Sequence, residues 1–307
     1  MVFEKGSHTI TFAMRVFTAT VASDGQYELG EGPVWDEAHQ RVLWVDINAG
    51  TVHGGRLEGR FVTADSDMRF DETVGTVVCD AEGHLLVAGA RRLYRVLGDS
   101  RAAVHAQLVP GAKLSRLNDG ACDPAGRFLV GSLALDGRQR EECLYRLEED
   151  GEVTVIDDDL TISNGLAWSP AGDVMYSVDT IPGIVWSRPY DPATGEWGER
   201  AQVIRLDHGG WPDGLCVDTD GNLWVAIWGG GEVRCYTPAG ERLATVSVPA
   251  PHTTSVAFAG PDRDVLVITT ATDQLSAAQL DEFPLSGRLF TAHVGAVGVP
   301  VAAWSGR

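Results

Sequence analysis

Along most of this chain apolar residues alternate with polar ones in runs of five to eight, and each run ends in a turn rich in Asp, Gly, Pro or Asn. That period-two pattern is the signature of half-buried strands. The segments GPVWDEAHQRVLWVDI, GTVVCDAEGHLLVAGA, DGACDPAGRFLVGSLA, GLAWSPAGDVMYSVDT, GLCVDTDGNLWVAIWG and, more weakly, SVAFAGPDRDVLVITT repeat one design, apolar run, polar turn, apolar run. Each reads as a β-hairpin. With Asp36, Asp80, Asp123, Ser169, Asp218 and Gly260 as turn-opening markers, the intervals are 44, 43, 46, 49 and 42 residues. A further strand follows several hairpins, as in RRLYRVLGDS, CLYRLEEDGEV, GIVWSRPYDPATGE and GEVRCYTPAGERL.

A period of that length suits a four-stranded propeller blade, so six repeats predict an all-β, six-bladed β-propeller forming one domain over residues 1–307. A β-sandwich or two smaller barrels would also supply short strands but would leave the period unexplained. Residues 9–22 alternate like a strand and are expected to complete the last blade, which removes an exposed edge. The one helical signal, SAAQLDEF ahead of Pro284 and Gly287, predicts a short helix inserted in that blade. Met14 is a second candidate start, which would make residues 1–13 a dispensable extension.

Repetition also draws attention to a fixed phase. Five residues before the markers stand Glu31, Gly75, Asn118, Asn164, Asp213 and Ser255. Rotation of blades about one axis would bring Glu31, Asn118, Asn164 and Asp213 together at one end of the central channel. Burying two carboxylates and two amide oxygens without partners is costly, and a divalent cation removes the cost. An all-oxygen donor set favours calcium, magnesium or manganese, with zinc and ferrous iron open if carboxylates and water share the shell. Capping of strand ends by Asp and Asn is the plainer explanation for any one of these residues. It is weaker for four at one phase, because the marker residues already serve the turns.

Composition narrows the alternatives. Twenty-four basic residues against 43 acidic ones give a net charge of −19, which repels nucleic acid and anionic lipid. Five cysteines without a CxxC pair argue against both a disulfide framework and a thiolate metal site. Neither a secretory signal nor an apolar run of membrane-spanning length is present, so a soluble cytoplasmic protein is expected. A GxSxG elbow and an HExxH motif are absent too.

Around the four phased residues the stretches LGEGPVWD, RLNDGACDPAGR, ISNGLAWSPAG and PDGLCVDTDGNLWVA occur in order. They resemble the motifs of the senescence marker protein, gluconolactonase and luciferin-regenerating enzyme family, and the likeness runs from about Glu28 to the C-terminus. It implies a six-bladed propeller with one divalent cation held by Glu31, Asn164 and Asp213. It also implies a substrate site with Asn118 close to the metal and Arg116 on the substrate hydroxyls. Asp136, in SLALDG, stands nearest to a glutamate with which family members contact the sugar. The tail LSAAQLDEFPLSGRLFTAHVGAVGVP is similar to those of bacterial sugar lactonases.

The expected activity is metal-dependent opening of an aldonolactone, such as glucono-, arabinono- or xylonolactone, to the aldonic acid. Asp213 is the candidate to take a proton from the attacking water, and Asp119 is expected to bind substrate or orient its loop. His252 is read as a loop residue, Asp46 and Asp179 as structural, and Trp35, Trp211 and Trp228 as a sugar-stacking wall or as packing. A calcium-binding regulator of the regucalcin type is the alternative, and an interaction scaffold a third. A regulator needs the ligands but not Arg116. The sequence leaves the particular lactone, the ion and the oligomeric state open.

Overall fold

The turn that recurs along the chain is closed by its opening carboxylate. Oδ1 of Asp80 accepts from the N–H groups of Glu82 and His84, at 2.9 and 2.8 Å. That of Asp123 accepts from Ala125 and Arg127, at 3.0 and 2.9 Å, and that of Asp218 from Asp220 and Asn222, at 3.0 and 2.8 Å. One carboxylate thus satisfies two backbone donors that the turn leaves unpaired, which is why Asp recurs there.

In a computed structural model, which describes residues 14–97 and 101–306, these hairpins belong to six separate sheets of four or five strands. The first strands of the sheets are Gly30–Asp36, Thr76–Cys79, Ser115–Cys122, Ser163–Trp168, Trp211–Val217 and Thr253–Ala259. They touch one another in a closed cycle, the sixth returning to the first. The architecture is a six-bladed β-propeller with these strands around the channel. The core lies between blades. Trp44 and Trp224 are wholly buried there, and Trp224 donates its indole N–H to Asp218 Oδ2 at 2.9 Å.

The N-terminal segment departs from expectation. Only Thr20–Val21 join the last blade, as its outermost strand beside Phe290–Ala292. Arg15–Thr18 instead run parallel to Arg242–Ser247 as a fifth strand of blade five. The outer strand of that blade offers an unpaired row of N–H and C=O groups, and the segment covers it before crossing to the next blade. Residues 9–13 of the expected strand, and the possible extension 1–13, lie outside the described residues. The helix forms at Ala277–Glu282 inside the last blade, with Ser276 and Gln279 in a reciprocal capping box.

After the last blade the tail crosses the turn end of the channel. Val299 N–H donates to Val217 O, Trp304 N–H to Cys79 O and Ser305 N–H to Gly126 O, at 3.1, 2.8 and 2.9 Å. This strap ties blades five, two and three together and closes that end.

Candidate active site

Register breaks place the site. In five of the six first strands the pairing slips by one residue at or beside the phased position: Glu31/Val34, Leu117/Gly120, Asn164/Leu166, Pro212/Leu215 and Thr253/Ser255. A bulge leaves a residue unpaired in the ladder and re-aims its side chain. Here the same irregularity in successive blades turns Glu31, Asn118, Asn164 and Asp213 inward, and all four are buried. Blades approach closely at this level. A Cβ on Gly165 would meet Asp213 O at 2.6 Å, and one on Gly214 would meet Ser255 Oγ at 2.0 Å, so a glycine follows each of these two polar residues. At the phased position of blade two, a Cβ on Gly75 would lie 2.4 Å from Asn118 O, which is why that blade offers no side chain.

The four polar side chains are not equivalent. Asn118 is committed on both sides: Oδ1 accepts from Arg116 Nη1 at 2.7 Å and Nδ2 donates to Ser163 O at 3.0 Å. It fixes the arginine and bridges blades three and four, which leaves its oxygen one further lone pair. Asn164 donates to Thr180 Oγ1 at 3.2 Å, and its Oδ1 receives a long 3.3 Å bond from Gly165 N–H. Glu31 Oε2 accepts from Gly32 N–H at 3.1 Å. Oδ1 of Asp213 is buried with no hydrogen-bond partner.

Burial and mutual repulsion push both carboxylates up. Glu31 is held well above the usual range by desolvation and then by Asp213 and Asp119, against Gly32 N–H and Arg116. Asp213 is raised by desolvation and then by Asp119, against Asn164 and Arg116. Such a pair suits a cation. Its donors are all oxygen, it contains an unpartnered buried oxygen, and a dication would remove the repulsion that raises both groups. A second cluster, Asp80, Glu82 and His84, also brings three donor atoms close together. Its central carboxylate closes the blade-two turn as Asp123 and Asp218 close theirs, and its second oxygen receives His84 Nδ1 at 2.9 Å. That geometry is explained without an ion.

Arg116 stands beside the carboxylates. Burial lowers its pKa to about 10, while Glu31, Asp273 and Asp213 work the other way, so it stays charged at neutral pH. Among the described residues no ion pair to a carboxylate within 4.0 Å is formed by Arg116, whose Nη1 serves Asn118 Oδ1 and Leu117 O. Its other donors are available to a ligand.

The remaining candidates separate. Asp119 lines a cavity of about 450 Å³ on the turn side of the ring, with Thr76, Ser255, Phe258 and the strap residues Val299–Ala302. Burial lifts its carboxyl to about 6, against the N–H of Gly120, and its charge acts on both ring carboxylates. Asp136 is exposed and bonded to Arg138, at 2.6 Å. Arg138 also bonds the buried Glu142 at 2.7 Å, so Asp136 belongs to the fastening of its own loop and the structure does not bring it to Arg116. Asp46 and Asp179 are structural: each receives two consecutive backbone N–H groups, from Glu28 and Leu29 and from Thr161 and Ile162. Trp35 is packed in the core, whereas Trp211 is exposed and Trp228 half-buried.

Two residues escaped sequence reasoning. Thr180 follows the structural Asp179 and holds Asn164; its place in the VDT stretch was the available signal. Asp273, which adds to the charge around Arg116, lies in a loop outside the repeat and gave none.

The family model described as SMP-30/gluconolactonase/LRE-like region matches residues 29–272, a span that includes all four motifs. Pentonolactonase XacC of Haloferax volcanii is 36% identical over 293 residues, covering 92% of this chain and 97% of its own. Regucalcin of Danio rerio is 35% identical over 284 residues, covering 91% and 95%. Among solved structures, a calcium-binding protein, regucalcin, from Agrobacterium tumefaciens superposes with a TM-score of 0.88 at 27% identity, over 95% of this chain and 99% of that one.

Proposed function

The chain belongs to the SMP-30/gluconolactonase/LRE-like family, and from that premise we propose that it hydrolyses the lactone of a five- or six-carbon sugar acid with the help of one divalent cation. The observation that carries this reading is the buried pair Glu31 and Asp213, one oxygen of it unpartnered among the described residues, beside an arginine that forms no ion pair with any of them. A relative named pentonolactonase supports the substrate class. A calcium-binding regulator would use the same ligands but has no use for the free donors of Arg116.

Glu31, Asn164 and Asp213 would hold the cation, which when bound supplies Lewis acidity at the lactone carbonyl and an acidified water. Arg116 offers planar donors to vicinal hydroxyls, its orientation set by Asn118. Asp213, whose buried Oδ1 has no hydrogen-bond partner among the described residues, receives a proton from the attacking water. Asp119, buried and lining the adjoining cavity, adds negative charge that acts on both carboxylates. The reading places the reaction in the cytoplasm, in keeping with five unpaired thiols. Among the described residues no helix is long and apolar enough to cross a membrane.

A panel of aldonolactones assayed by acid release, with calcium, magnesium, manganese, zinc or ferrous ion added back after chelation, tests the proposal. Turnover on one or more lactones, lost on chelation and restored by an ion, is expected; activity that survives thorough metal removal refutes the cation. Arg116→Ala should retain metal and fold while kcat/KM drops tenfold or more, since a lost charge-assisted hydrogen bond costs about 1.5 to 3 kcal/mol. Full activity in that variant would remove Arg116 from the substrate site.

A further inference from the structure

The open mouth of the channel has a wall that the chemistry above does not use. His252 stacks on Trp228 with ring centroids 4.0 Å apart and planes 14° from parallel, and the two residues form an isolated β-bridge between blades five and six. Trp228 in turn pairs in register with Trp211, two residues before Asp213. On the other side, His252 Nδ1 lies 2.9 Å from Asp273 O. The backbone there is pinned, because Ala271 N–H donates to His252 O and Asp273 N–H to Glu28 O, at 3.0 and 2.8 Å. This ties the histidine to blade one, three residues before Glu31. Asp273 is also one of the charges that bear on Arg116, so the histidine and the guanidinium have a common neighbour in Asp273.

A carbonyl oxygen only accepts, so Nδ1 must carry the proton. In the neutral ring Nε2 is then an unprotonated acceptor, and burial disfavours the second proton. No hydrogen bond from a described residue reaches Nε2, and the ring is half-buried rather than enclosed. An imidazole clamped in one tautomer between an indole face and a fixed carbonyl is a preorganised acceptor, complementary to the donors of Arg116. A polyhydroxylated ligand, whose hydroxyls both donate and accept, needs both kinds of partner.

On the basis of the lactonase reading, the geometry points to His252 as a specificity-determining residue that accepts a hydrogen bond from one hydroxyl of the sugar lactone through Nε2, with Trp228 and Trp211 flanking it as the apolar side of the subsite.

The experiment compares a good aldonolactone with its single-deoxy analogues in four proteins: wild type, His252→Phe, His252→Asn and His252→Gln. Phenylalanine keeps the stack on Trp228 and removes both nitrogens. Asparagine keeps a donor for Asp273 O and lacks the distal acceptor. Glutamine puts an amide oxygen near the place of Nε2. Wild type should prefer the parent over one deoxy analogue by about tenfold in kcat/KM, the scale of one hydrogen bond. That preference should vanish in the Phe and Asn variants, with the rate on that deoxy analogue unchanged, and return in part with Gln. Recovery by Asn rather than Gln would make His252 a clamp for the Asp273 loop and overturn the proposal. So would a hydroxyl preference left intact in His252→Phe. If wild type hydrolyses no lactone, the lactonase reading has failed, and calorimetric titration with the matching aldonates decides on His252. Affinity that is lost in Phe and Asn but kept in Gln supports the acceptor role; equal affinity in all four, or no binding at all, overturns it.

Discussion

Asp213 and Asp218 stand five residues apart at the two ends of one strand connection, both buried, and they live in opposite circumstances. Asp218 accepts from the backbone of Asp220 and Asn222, from Asn222 Nδ2 and from the indole of Trp224. Every lone pair it has is used. Asp213 keeps a buried oxygen with no partner, and desolvation and Asp119 hold its proton affinity high. The same residue type is thus satisfied by the fold at the turn end and left with an unpartnered oxygen five residues away. A buried carboxylate that the fold satisfies is part of the fold; one that the fold leaves wanting is kept for something from outside.

The sharpest way to break this comparison is to remove each charge separately. Asp213→Asn should lower kcat/KM on the best lactone by at least about a thousandfold, as befits a group acting on the reacting atoms, and should abolish tight metal binding by elemental analysis. In metal-free protein its thermal midpoint should hold or rise, because a buried, unsatisfied charge is taken away. An activity loss under tenfold, or an early melt without metal, would mean that Asp213 is a second Asp218.

Asp218→Ala should show the reverse. It strands two backbone N–H groups and the fully buried indole of Trp224, a loss of about 3 kcal/mol, which for a chain of this size lowers the midpoint by roughly 6 °C or more. Below that temperature kcat/KM should stay within about twofold of wild type, since the turn lies at the far end of the channel. Calorimetry with kinetics at 25 °C checks both halves. A loss of turnover without loss of stability would show that the two ends are coupled through the strap Val299–Ser305.

What was legible in the sequence follows the same division. The turn aspartates Asp80, Asp123 and Asp218 repeat because each performs one local task, holding N–H groups two and four residues on, and a local task leaves a periodic trace. From that trace came six blades, their length and the phase of the ring. The bulges that turn the phased side chains inward are a property of pairing between strands and had no trace of their own, though they are what makes the phase meaningful. Asn118 shared the phase and so looked like a fourth ligand; only the positions of Arg116 and Ser163 show its oxygen and nitrogen already engaged. The N-terminal strand was assigned to one blade when its residues serve two, because alternation says that a segment is extended and not which edge it covers. Asp273 depends on a loop that meets Glu28 across a blade seam, where spacing carries no information, whereas Thr180 lies beside Asn164 in its own blade and was marked only by the VDT stretch.

Asp136 sharpens the comparison from the other side, as an acid near the mouth that the fold has satisfied. Its carboxylate is exposed and bonded to Arg138, whose guanidinium also reaches Ser115 and the buried Glu142. Exposed ion pairs contribute at most about 1 kcal/mol, and the pair points the acid at its own loop. Asp136→Ala is therefore expected to change kcat/KM by less than about fivefold on every lactone of the panel, given a contribution of that size, and to shift the midpoint by no more than about 2 °C. Steady-state kinetics across the panel checks it, with the ratio of rates between lactones as the readout. A change in that ratio beyond tenfold would show that the carboxylate leaves Arg138 for the sugar when substrate binds. The family's sugar-contacting acid would then be retained here with a shorter side chain, and satisfaction within the free protein would not by itself tell a fastening acid from a binding one.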